Sequence, residues 1–147
     1  MNPWNLQAAL FAKHAQHAVL IHFPIALFLA GVAFDLASAW TGRKDLANVA
    51  YWNLTVAVPG AAAAVITGVL AWQFEFEGRR VKGILLLHLL AASTAFVLIV
   101  TAWLVHFLRQ RRPDSQDPHY RWLIEGAGVL AITLTGYLGG FLSGVNH

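Results

Sequence analysis

Four long apolar runs constrain the fold of this 147-residue sequence more than any other feature. They cover about residues 18–40, 54–74, 84–107 and 123–145. Each is long enough to cross the hydrocarbon core of a bilayer, which takes about 20 helical residues. Because the runs lack the regular polar positions of soluble amphipathic helices, they predict transmembrane helices. The expected fold class is an all-α integral membrane four-helix bundle, a single domain over residues 1–147.

The composition fits a chain that lies almost wholly in the lipid bilayer. Hydrophobic residues make up 58% of it and charged residues only 12%, whereas soluble domains are roughly 25% charged. No basic patch with interleaved aromatic residues occurs, so we expect no nucleic-acid partner. The absence of cysteine excludes disulfides, thiolate metal sites, iron–sulfur clusters and covalently attached c-type haem.

Basic residues give the expected orientation. Those of the first and third loops are Arg43, Lys44, Arg109, Arg111, Arg112 and Arg121, and those of the opposite side are Lys13, Arg79, Arg80 and Lys82. Because basic residues favour the cytoplasmic side, this bias places both termini outside the cytoplasm. Residues 3–17 precede the first run and predict a short interfacial helix or an extension of the first span.

The spans are consistent with a duplicated helix pair. The second and fourth align with an offset of 68, which places Thr67 on Thr135, and the first and third with an offset of 66, which places His22 on His88. A duplication implies a pseudo-two-fold axis along the membrane normal. The alternative is plain tight packing of helices that are rich in glycine and alanine.

Histidines near one membrane level are the main candidates for chemistry. They are His17, His22, His88 and His147. Ionisable groups at such depth are costly and usually face the bundle interior or a cavity. Facing imidazoles suit a bis-histidine haem b, or a copper or zinc ion. His22 and His88 are the predicted axial pair, because the pseudo-symmetry relates them. His17 and His147 are the alternative pair. Each histidine could instead only hydrogen-bond a neighbour in the packed core.

A second group of ionisable residues is expected at the opposite membrane level. It consists of Asp35, His106, Arg121 and Glu125, which lie near the ends of three spans. An acid inside a span is a functional candidate. An ion pair of Asp35 or Glu125 with Arg121, or with an arginine of the third loop, is one interpretation. A proton path or a site for a quinone headgroup is the other.

The stretch from His17 to Leu27, HAVLIHFPIAL, followed by Asp35-Leu36, resembles the opening signature of the DUF2231 family, a membrane family of unknown function. Ala18 stands where that family has a proline. Later similar positions are Thr67-Gly68, His88, Gly139-Gly140 and Asn146-His147. The resemblance covers nearly the whole chain and implies a four-helix domain of the bacterial inner membrane. Family relatives can be fused to Rieske-type or c-type cytochrome domains, which implies electron transfer at the outer face.

We therefore expect a b-type cytochrome-like membrane subunit. Haem would lie between the helices near the extracytoplasmic face, and electrons would pass between a quinone or membrane partner and a separate redox subunit. One alternative is a cofactor-free structural subunit of a larger membrane complex or a homodimer. The other is a histidine-ligated copper or zinc protein. No phosphate-binding loop, GxSxG or HExxH motif occurs, so an accessory or electron-transfer role is expected rather than a stand-alone enzyme.

Overall fold

The computed structural model describes residues 13–75, 78, 80–111 and 119–143, which form four helices. These are α1 (Lys13–Thr41), α2 (Lys44–Glu75), α3 (Gly83–Arg111) and α4 (Tyr120–Leu142). The described ranges contain no strand. All four helices are long and apolar enough to cross a membrane, with mean hydropathy between 1.3 and 2.4 in their best segments. The predicted all-α membrane bundle is thus confirmed.

The largest difference from the predicted spans is at α2, which begins at Lys44 rather than at residue 54. Its first turns carry polar residues such as Asp45 and Asn53, so they fall outside the apolar run. An acid in the first turn stabilises a helix N-terminus. Gly42 and Arg43 form the whole connection from α1, and Gly42 has a φ of 73° that glycine adopts without strain.

The other ends also differ from the sequence prediction. The fourth span, predicted over residues 123–145, is a helix from Tyr120 to Leu142. Of the predicted N-terminal helix over residues 3–17, residues 13–17 belong to α1, which favours the extension of the first span. Residues 3–12 lie outside the described residues.

The helices pack as two antiparallel hairpins, α1 with α2 and α3 with α4. The two hairpins meet mainly through α2 and α3, where Trp103 Nε1 donates a hydrogen bond of 3.2 Å to Thr55 Oγ1. The buried core consists of Phe28, Leu54, Ala57, Ala61, Ala95, Ile99, Ala102 and Ile132. Half of these residues are alanine, and small side chains allow membrane helices to approach closely.

The buried positions show that the two hairpins are equivalent halves in a single register. Nine of the described residues of α1 and α2 are buried, and all but Ser38 have a buried counterpart 71 residues later. The eight are Pro24, Phe28, Gly31, Asp35, Ala50, Leu54, Ala57 and Ala61. Their counterparts in α3 and α4 are Ala95, Ile99, Ala102, His106, Arg121, Glu125, Gly128 and Ile132. The predicted offsets of 66 and 68 were therefore wrong. Apolar segments align in sequence at many registers, and the buried face selects one of them.

The contact of α4 with Phe28 of α1 predicts a sharp difference between two glycines of α4. A Cβ atom added at Gly128 would lie 2.6 Å from Cζ of Phe28, whose side chain is fully buried. We therefore expect Gly128→Ala to lower the free energy of unfolding by about 1–3 kcal/mol. The matched control is Gly126→Ala, whose added Cβ would meet no atom within 4 Å. Denaturant titration in detergent measures both, and equal losses would contradict the close packing.

Candidate functional site

Buried and half-buried ionisable side chains lie at two levels of the bundle. We call the level of His17 and His88 the histidine end, and the level of Asp35 and His106 the charged end. Within α1 and within α3 the two levels are 18 residues apart. At a rise of 1.5 Å per residue this separation is about 27 Å. Because a hydrocarbon core is about 30 Å thick, the two ends lie near opposite membrane surfaces.

His17 is held between α1 and α2 at the histidine end. Its Nδ1 lies 3.0 Å from Oγ1 of Thr67. The Thr67 hydroxyl donates back to the carbonyl oxygens of Ala63 and Ala64, at 3.0 and 3.1 Å. Because the single hydroxyl proton goes to those carbonyls, the network assigns the ring proton to Nδ1. The lone pair of the neutral imidazole is then on Nε2.

His88 occupies the equivalent place between α3 and α4. Its Nδ1 lies 3.1 Å from the carbonyl oxygen of Thr135. A carbonyl only accepts hydrogen bonds, so the proton is on Nδ1 and the lone pair is again on Nε2. Gly139 faces this ring, as Gly68 faces the ring of His17: an added Cβ would lie 3.3 and 3.1 Å from the respective Cε1 atoms. Gly68 and Gly139 are 71 residues apart, as are His17 and His88.

The structure places His22 on a different face of α1. His17 precedes the buried Pro24 by seven residues, or two helical turns, and so lies on the same stripe. His22 precedes Pro24 by two residues, which is a rotation of about 200°, and its side chain is exposed. The geometry therefore favours His17 rather than His22 as the counterpart of His88. His147 lies outside the described residues.

The charged end brings together all four residues of the second predicted group. His106 Nε2 lies 2.8 Å from Glu125 Oε1 and 3.8 Å from Asp35 Oδ2. Arg121 Nε lies 3.5 Å from the same Asp35 oxygen. Each of these four side chains is at most 4% exposed. Three helices thus contribute to one buried group, which we call the charged cluster.

Arg109 completes the electrostatic balance of the charged cluster. Its Nη1 lies 3.7 Å from Asp35 Oδ1. Two guanidinium groups therefore face two carboxylates, those of Asp35 and Glu125, around one imidazole. Buried charges are tolerated in a low-dielectric interior only when they are paired. Among the described residues no group donates a hydrogen bond to either Asp35 oxygen, so Asp35 is held by ion pairs rather than by hydrogen bonds.

The charged cluster also has the spacing of a metal site. Asp35, His106 and Glu125 each offer a ligand atom, and these atoms lie within 4.8 Å of one another. Nitrogen and oxygen donors of this kind suit ions such as zinc. The two arginines already neutralise both carboxylates, however, so a divalent cation would leave a buried excess of positive charge. The cluster holds one histidine and lies at the other end of the bundle from His22 and His88, which were the residues expected to hold copper or zinc in the alternative prediction.

The sequence profile of the DUF2231 family, described as predicted membrane proteins, matches residues 13–146. This chain belongs to the DUF2231 family. The match covers all four helices and confirms the resemblance seen in the HAVLIHFPIAL stretch. Neither the curated proteins nor the solved structures give a significant match. Since the family description gives no activity, the function of this DUF2231 member has to be inferred from its own side chains.

Two residues that anchor the histidines were not predicted from the sequence. Thr67 contacts His17 through its hydroxyl, and Thr135 contacts His88 through its backbone carbonyl. Each threonine precedes a glycine, and this repeated Thr-Gly pair was the sequence signal that could have pointed to them. It aligns the two hairpins at an offset of 68 residues, at which the two threonines are equivalent. In the structure Gly68 is instead equivalent to Gly139, because Gly68 faces the ring of His17 and Gly139 faces the ring of His88.

Proposed function

We propose that this membrane domain is an electron-transfer subunit that holds haem b at the histidine end, with His17 and His88 as axial ligands. The observation that carries the proposal is the equivalence of two half-buried histidines, 71 residues apart, on two equivalent hairpins. Haem b with bis-histidine ligation would be held by two imidazoles, which His17 and His88 would supply. A pseudo-two-fold arrangement of helices supplies such a pair.

The hydrogen bonds of both rings support metal ligation. A metal-bound histidine usually donates its second ring N–H to a carbonyl, carboxylate or other acceptor, which fixes the ring and makes the ligating nitrogen more basic. The Thr135 carbonyl has this role for His88, and the Thr67 hydroxyl has it for His17. Both contacts orient Nε2 as the ligating atom. When bound, haem would supply one-electron transfer that no side chain of this chain provides.

The membrane setting extends the proposal to partners. The charged end carries the larger number of basic residues, which favours the cytoplasmic side. The histidine end would then face the outside of the bacterial inner membrane. Electrons would pass between a quinone or membrane partner and an extracytoplasmic Rieske-type or c-type cytochrome subunit.

Absorption spectra of the detergent-purified protein, expressed with ample haem, test the proposal. The wild type is expected to show a Soret band and, after dithionite reduction, sharp α and β bands. His17→Ala and His88→Ala are expected to lose these bands. His22→Ala is the matched control, because it removes an exposed imidazole from the same helix. A featureless wild-type spectrum would overturn haem binding, and loss of the bands in His22→Ala but not in His17→Ala would overturn the assigned pair.

A cofactor-free structural subunit is the second candidate. It is favoured by Gly126 and Gly136 of α4, which have no atom of the described chain within 4 Å of an added Cβ. Such open positions suit the approach of another membrane helix. This candidate predicts a featureless spectrum, no copper or zinc by metal analysis, and a mass in detergent that corresponds to a homodimer or a larger complex.

A further inference from the structure

A cleft opens between the helix ends at the charged end, about 27 Å from the histidine pair along the helices. Its volume is about 270 Å³. It is lined by Ser38, Ala39, Gly42, Lys44, Ala47, Arg109 and Arg121. All four helices begin or end near it, since α1 and α3 finish and α2 and α4 start at this level. The haem proposal makes no use of this space.

The described side chains that line the cleft are positively charged or uncharged. The three charged ones are Lys44, Arg109 and Arg121. Asp35 lies within 3.7 Å of both arginines but does not line the cleft. The neighbouring Arg43 has its own ion pair with Asp45. Among the residues that the structure describes, this lining favours an anion over a cation.

We propose that the cleft binds a phosphate group, of the kind carried by the phosphodiester of an anionic membrane lipid or by free phosphate. A phosphodiester carries a negative charge, which the basic residues of the lining attract. Guanidinium groups match phosphate oxygens in geometry, and lysine adds a mobile point charge. The first turn of α2 begins at Lys44, and the positive end of its helix dipole faces the same space. Basic pockets between membrane helices are typical sites for lipid headgroups.

The surrounding aromatic residues favour a lipid as the source of the phosphate. Trp40, which is 89% exposed, lies in the last turn of α1 and follows Ala39 of the cleft lining, and the exposed Tyr120 begins α4. Tryptophan and tyrosine collect where the hydrocarbon meets the headgroups. The cleft therefore lies at the depth of lipid phosphates.

The test is a binding titration of the purified protein in detergent. The probes are dioleoyl phosphatidylglycerol, dioleoyl phosphatidylcholine and inorganic phosphate, and the readouts are the Tm and the lipid retained in native mass spectrometry. Ligands that bind the folded state raise the Tm with concentration. Phosphatidylglycerol is expected to raise it and phosphatidylcholine is not. The double variant Lys44→Gln/Arg109→Gln is expected to bind about 10-fold or more weakly, because it removes two of the three cations.

The matched control is Arg43→Gln/Arg111→Gln, which removes two charges at the same end from exposed residues outside the cleft. It is expected to bind phosphatidylglycerol within about 2-fold of the wild type, since those side chains make no contact with the cleft. Stabilisation by inorganic phosphate alone would support the site and identify a free anion as the source. Equal stabilisation by phosphatidylcholine, or equal loss in the control, would overturn the proposal. His17→Ala should leave lipid binding unchanged, so this result is independent of haem.

Discussion

Replacing Arg121 with alanine is expected to lower the free energy of unfolding by about 3–5 kcal/mol, the usual cost of removing one partner from a buried ion pair. The guanidinium is 3% exposed, and Arg121 Nε lies 3.5 Å from Asp35 Oδ2. Its removal leaves two buried carboxylates, those of Asp35 and Glu125, against the single guanidinium of Arg109. It also removes the stacking of Arg121 on Trp122, where Cζ lies 4.2 Å from the ring centroid.

A second variant separates charge balance from lost packing. Asp35→Asn/Arg121→Ala removes one charge of each sign, and we expect it to recover at least half of the loss, because ionic partners are strongly non-additive. Arg111→Ala is the control: Arg111 is exposed and lies over the Phe107 ring, at 4.4 Å from the centroid. Denaturant titration of all three in one detergent measures the differences. If the double variant is no more stable than Arg121→Ala, charge pairing is not what holds the charged cluster.

Phe28→Ala is expected to have the second-largest effect, a loss of about 3 kcal/mol in the free energy of unfolding. The ring is fully buried in the core and lies against Gly128 of the opposite hairpin. The value is at the lower end for truncation of phenylalanine, since in lipid the loss is one of packing rather than of transfer from water. Phe34→Ala, on the same helix but 37% exposed, is the control and should change stability little.

The equivalence of the hairpins supplies a compensating variant. Phe28 and Gly128 correspond to Ile99 and Ala57, which belong to the same buried core. The two pairs have a similar total volume. Phe28 is paired with a glycine, whereas the smaller Ile99 is paired with the larger alanine Ala57. Phe28→Ile/Gly128→Ala should therefore be more stable than Gly128→Ala alone, because volume-conserving changes are tolerated best. A double variant with the summed losses of Phe28→Ile and Gly128→Ala would contradict the equivalence of the two pairs.

The sequence predicted how deep in the membrane the ionisable residues lie better than it predicted which side of a helix they face. Asp35, His106, Arg121 and Glu125 were grouped from their positions near span ends, and the structure places them within one buried group. Depth follows from counting residues along an apolar run. Direction requires a polar face, and helices that are apolar nearly all round provide none.

His22 shows the consequence of that difference. It was preferred over His17 because it aligns with His88 at an offset of 66. The inward-facing stripe of α1 instead passes through His17, Pro24 and Asp35, which are separated by about two and about three helical turns. The stripe is defined by contacts with other helices, such as that of Gly31 with Leu54, which the sequence alone does not contain. Haem ligation itself stays a prediction.

The equal spacing of the two polar levels gives the domain a fixed hydrophobic length. In both hairpins 18 residues separate them, or about 27 Å for an upright helix, slightly less than the average hydrocarbon thickness of about 30 Å. Tilting only shortens a span, so it does not help the helices to match a thicker membrane. Thinning of the surrounding lipid does, at fractions of a kcal/mol per Å. The acyl-chain length of the surrounding lipid therefore decides whether the histidine end and the charged end reach the two membrane surfaces at the same time.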